Sequence, residues 1–127
     1  MPDDPSFDIP ARPTRRFPHD SGVEYEGGTE FELRPDREYT EPELATTVTE
    51  LLAAGPYRYG DFHHLPMQLW LVRDEGTSDV FRVAVRDGTV RLHVLPTTES
   101  GGLRRFYERL CGADPSVSWA VDRWIDG

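Results

Sequence analysis

The sequence predicts an α+β domain, a three-stranded antiparallel meander with two helices packed on one face and room for a fourth strand from the C-terminal segment. Three observations predict it. A helix with both ends signalled in the sequence covers about residues 41–54. Alternating apolar and polar residues on either side of Asp87-Gly88 mark a hairpin. A second amphipathic stretch covers about residues 98–111.

The first helix is framed by Thr40 and Glu43 at capping-box spacing, by Pro42 in the first turn, where its missing N–H is harmless, and by Gly55-Pro56 at the end. Leu44, Val48, Leu51 and Leu52 form its apolar stripe. Three strands follow, at about 67–74, 79–86 and 89–95. Asp87-Gly88 suits a type I′ turn, which needs positive φ at both central residues. Counting outward from that turn pairs Arg86 with Thr89, Ala84 with Arg91 and Arg82 with His93. Phe81, Val83, Val85, Val90, Leu92 and Val94 then share the core side. If Asp74 pairs with Asp79, Trp70 and Val72 join the core and Leu69 and Leu71 join the opposite face. In the second helix Leu103, Phe106, Tyr107 and Leu110 lie on one side, Thr98 or Ser100 caps it, Gly101 and Gly102 weaken its first turn, and Gly112 ends it. The last segment, "PSVSWAVDRWI", fits both a strand and a helical stripe, with the strand favoured.

Residues 1–30 read as an extended, acidic arm rich in Pro, Asp and Gly, and 31–127 as the single α+β domain. Within "GTEFELRP", the alternation of Glu30, Phe31, Glu32 and Leu33 suggests a short edge strand. With 127 residues, 37% of them hydrophobic, one core is the expectation. No apolar run approaches the length of a membrane span and no signal peptide is evident, so the expected location is cytoplasmic. Cys111 is the single cysteine, which excludes an internal disulfide and a thiolate metal cluster.

Charge narrows the function further. The formal net charge is −9, and all 14 basic residues are Arg, with no Lys. That balance disfavours nucleic acid as a partner. The lysine-free, acidic composition, the stretch "VFRVAVRDGTVRLHVLP" and the following "LRRFYERL" resemble small acidic haloarchaeal proteins of an uncharacterised family. The resemblance implies a halophilic setting and brings no activity with it.

The stretch "YGDFHHLPM" places Asp61, His63 and His64 close together, and His93 could approach from the hairpin, a set chemically suited to zinc. The spacing matches no established motif, and adjacent histidines point to opposite sides of an extended chain. With Gly60 before and Pro66 after, a turn feeding the next strand explains the stretch. Ser100 lacks the strand-to-helix setting of a nucleophile elbow, and Cys111 falls at a helix C-terminus, where the dipole disfavours a thiolate. No phosphate loop or dinucleotide fingerprint occurs, and no cofactor is expected.

The remaining feature is the arginine-bearing sheet face, with Arg82, Arg86, Arg91 and His93 beside Leu69 and Leu71. It suits an acidic protein or a small anionic ligand. The competing reading is an ordinary solvated face neutralised by nearby acids, or one covered by the acidic arm. On this basis the expected function is a non-enzymatic interaction or regulatory domain. The alternative is a small metal-dependent hydrolase using Asp61, His63, His64 and His93.

Overall fold

The structure, a computed structural model, describes residues 7, 9–10, 14–16, 24–26, 28–61 and 68–126. Two short strands, β1 (Thr14–Arg16) and β2 (Glu24–Glu26), pair with each other. The body comprises β3 (Gly28–Pro35), α1 (Glu41–Ala54), β4 (Tyr57–Asp61), β5 (Gln68–Asp74), β6 (Val80–Arg86), β7 (Thr89–Val94), α2 (Ser100–Ala113) and β8 (Trp119–Asp126).

The sheet has six strands in the order β4-β5-β6-β7-β3-β8, with every neighbouring pair antiparallel. The class is α+β as expected, but the expected three- or four-stranded sheet is incorrect. Strand β4 adds an edge from a stretch read as a loop, and β3 adds an interior strand from one read as an edge. The C-terminal segment is a strand, and it pairs with β3 at the edge of the sheet. Because successive neighbours alternate in direction, β3 and β4 run parallel, as do β7 and β8. Each of these pairs is joined through a helix, which carries the chain across the sheet.

Phe31 and Leu33 from β3, Val72 from β5, Phe81 and Val83 from β6, and Leu92 from β7 are fully buried on one face. Leu44 and Val48 of α1, and Leu103 and Phe106 of α2, enter the same core, so both helices cover that face. The Phe106 ring meets Phe81 and Tyr57 edge-on, at centroid distances of 5.9 Å and 6.3 Å. Cys111 is partly buried against this core.

Helix α1 has the reciprocal capping box: Thr40 Oγ1 accepts from the Glu43 N–H, and the Glu43 carboxylate accepts from the Thr40 N–H. These bonds, the Thr40 N–H foremost, hold the Glu43 carboxyl below its usual pKa. Helix α2 begins differently. The N-cap position falls to Glu99, whose side chain makes no cap bond; Thr98 Oγ1 donates to the Val80 carbonyl and accepts from Leu95 N–H, while Ser100 Oγ donates to the Phe7 carbonyl. Instead Asp79, buried at the end of the β5–β6 turn, accepts from Gly102 N–H at 2.7 Å. A Cβ on Gly102 would sit 2.6 Å from the Asp79 carboxylate, so this glycine admits the capping group instead of merely weakening the helix. At the other end of the turn, fully buried Asp74 accepts from the Gly76 and Thr77 N–H groups and faces Arg105 of α2.

The arm also reaches the core. Phe7 is 1% exposed, with its ring 5.2 Å from Phe31 and 5.5 Å from Tyr107. Phe31 and Leu33 lie in the core, on the opposite side of the sheet from the arginines.

Candidate functional site

The pairing register places the sequence-selected residues on the face away from the helices. Arg86 opposes Thr89, Arg82 opposes His93 and Ala84 opposes Arg91, as counted from Asp87-Gly88. The turn itself has φ of 53° at Asp87 and 75° at Gly88. Arg73 pairs with Val80 and the Asp74 N–H donates to the Asp79 carbonyl, which brings Leu69 and Leu71 onto the same face.

Following the pairs across the sheet gives two rows of side chains. One runs Gly60, Leu71, Arg82, His93, Glu30, Trp124, through all six strands. The other runs Leu69, Ala84, Arg91, Glu32, Asp122. Each row is apolar on β5, carries an arginine in the middle and a glutamate on β3; on β8 the first ends in Trp124 and the second in Asp122. Strand β3 thus turns its apolar side chains to the core and its carboxylates to the arginines, following the period of two.

Those carboxylates divide the candidate residues into two groups. Arg91 lies 3.7 Å from Glu30, 3.5 Å from Glu32 and 3.9 Å from Asp87, and its side chain is only 24% exposed. His93 Nε2 stands 3.5 Å from Glu30. Burial lowers the His93 pKa; Glu30 opposes that shift, and Arg82 and Arg91 reinforce it. The ring is therefore neutral at neutral pH. Arg91 and His93 belong to an internal charge network that Arg82 adjoins, and Leu69, Leu71, Arg82 and Arg86 form the part of the face on β5 and β6. Arg86 is exposed with Asp87 3.7 Å away, and Leu71 is 38% exposed. At the β4 edge Arg58 and Arg73 share Glu75, at 2.5 Å and 3.8 Å. At the β8 edge Arg34 meets Asp122 at 2.6 Å, and Trp124 is 57% exposed.

Of the metal set, only the His93 side chain is described. Asp61 closes β4 with its backbone, while its side chain, His63 and His64 lie outside the described residues, as does the turn expected there. Among the described residues no group of three or more His, Cys, Asp or Glu side chains is placed to hold a metal ion. Ser100, the other candidate nucleophile, spends its hydroxyl on the Phe7 carbonyl.

Sequence reasoning missed the acidic half of this face. Its signal was the alternation of Glu30 and Glu32 with Phe31 and Leu33, which showed a strand but not its neighbour. It also missed a cleft on the opposite side of the molecule, near Trp119. No helix among the described residues is long and apolar enough to cross a membrane. No protein-family model matches the chain, and no curated protein or solved structure matches it significantly.

Proposed function

We propose that the chain is a non-enzymatic binding domain whose helix-free sheet face takes an acidic polypeptide partner in extended form. One observation supports this reading. Arg34, Arg58, Arg73, Arg82, Arg86 and Arg91 share that face with the strand carboxylates Glu30, Glu32 and Asp122. With the turn acids Glu75 and Asp87, and with Asp126, which the register places on this face opposite Gly28, acids and guanidiniums are equal in number there, in a chain whose net charge is −9. The face is thus less acidic than the molecule as a whole, and its arginines lie beside Leu69 and Leu71. A partner segment alternating acidic and apolar residues complements both features.

The test is capture of partners from an extract of the native host, comparing Arg82→Glu with Arg123→Glu. The two substitutions change net charge equally, but Arg123 pairs with Phe31 and so projects from the other face. The reading expects an acidic partner to be lost with Arg82→Glu and kept with Arg123→Glu. Equal retention by the two variants, or equal loss, contradicts it.

A further inference from the structure

On the helix side of the sheet, a cleft of about 630 Å³ opens between the C-terminal halves of α1 and α2. That volume falls within the range of small-molecule sites, about 300–1,000 Å³. Leu51 and Ala54 of α1 and Leu110 and Ala113 of α2 supply an apolar lining. Tyr39 and Trp119, stacked 6.3 Å apart with an interplanar angle of 17°, supply a flat aromatic wall.

The polar groups of the cleft are unevenly satisfied. Arg37 is occupied, lying 4.8 Å over the Tyr39 ring and 3.7 Å from Asp114. Asp114 also accepts from the hydroxyl and N–H of Ser116, which together with Arg37 hold its carboxyl below its usual pKa. One cation remains. Arg109 is exposed and lies 5.9 Å over the Tyr57 ring, and among the described residues no carboxylate stands within ion-pair distance of it. Trp119 is 8% exposed and its indole N–H is wholly buried, so it serves the cleft as an aromatic wall and not as a donor.

We propose that this cleft binds a small organic monocarboxylate with an apolar or aromatic body. The carboxylate pairs with Arg109, and the body lies along Tyr39, Trp119, Leu51 and Leu110. A phosphate dianion fits poorly. Glu50 lines the cleft from α1, and both helices turn their C-terminal ends, the negative ends of their dipoles, toward it. This site is independent of the outer sheet face.

The test follows the ¹⁵N-labelled indole N–H signal of Trp119, assigned by its loss in Trp119→Phe, during titration with phenylacetate, phenylacetamide and inorganic phosphate. Phenylacetate is expected to shift the signal saturably, phenylacetamide to bind at least roughly tenfold more weakly, and phosphate to leave it unmoved. Arg109→Gln is expected to weaken phenylacetate by roughly tenfold or more while the Trp124 signal and thermal unfolding stay as in the parent. The proposal is overturned by no saturable shift at millimolar phenylacetate, by an amide that binds as tightly as the acid, or by undiminished binding in Arg109→Gln.

Discussion

His93 shows how one residue's surroundings fix its chemistry. It sits between Arg82 and Glu30 in a row that crosses the sheet, with Arg91 nearby. Burial outweighs Glu30 and lowers its pKa, so between the folded and unfolded values the unfolded chain binds the extra proton and the native chain does not. The contribution of His93 to stability is present above the unfolded value and is lost as pH falls through the folded one. Denaturant unfolding between about pH 5 and 8 should show this loss on acidification, and His93→Gln should flatten it. Retention of the full pH dependence in His93→Gln would assign it to other groups. At the same scale, Gly101 and Gly102 look equivalent in sequence but are predicted to respond oppositely to alanine. Gly101→Ala meets nothing closer than 3.9 Å and should add up to about 1 kcal/mol. Gly102→Ala displaces the Asp79 cap and should cost about 2 kcal/mol. Nothing in "ESGGL" distinguished the two, because the group that does so lies 23 positions away in the chain.

Elements were legible where local chemistry decided them. The capping box of α1 and the β6–β7 register both follow from residues within a few positions of each other. Gly88→Val tests the turn directly, since Gly88 has φ of 75° and a β-branched residue there should lose about 1–3 kcal/mol in denaturant unfolding. Unfolding identical to the parent would remove the basis for the face assignment. Strand β4 was not legible. It is five residues long, begins just after Gly55-Pro56 and contains Gly60, so turn signals hid the alternation of Tyr57 and Tyr59. Strand β8 was ambiguous because its apolar pattern is broken: Val117 and Trp119 are buried, while Trp124 and Ile125 are exposed on the edge strand. The place of β3 between β7 and β8 depends on pairings with residues some 60 and 90 positions away, which no local pattern encodes.

For the molecule as a whole, the acidic N-terminal region contributes to the structure in two ways. Phe7 enters the core between β3 and α2, so Phe7→Ala should cost about 3 kcal/mol in denaturant unfolding. An unchanged midpoint would show that this contact adds nothing. Strand β3 brings Glu30 and Glu32 beside Arg91, so the proposed contact falls to the β5–β6 part of the face. On the proposed function, this half-face binds an acidic, apolar extended segment. This is tested most directly by following the backbone amide signals of the full chain during titration with a synthetic peptide alternating Glu and Phe. Shifts should gather at Leu69, Leu71, Arg82, Ala84 and Arg86. They should persist in high salt, where the apolar contacts outlast the screened charges. Shifts confined to α1 and α2, or no saturable shift at all, would contradict the account.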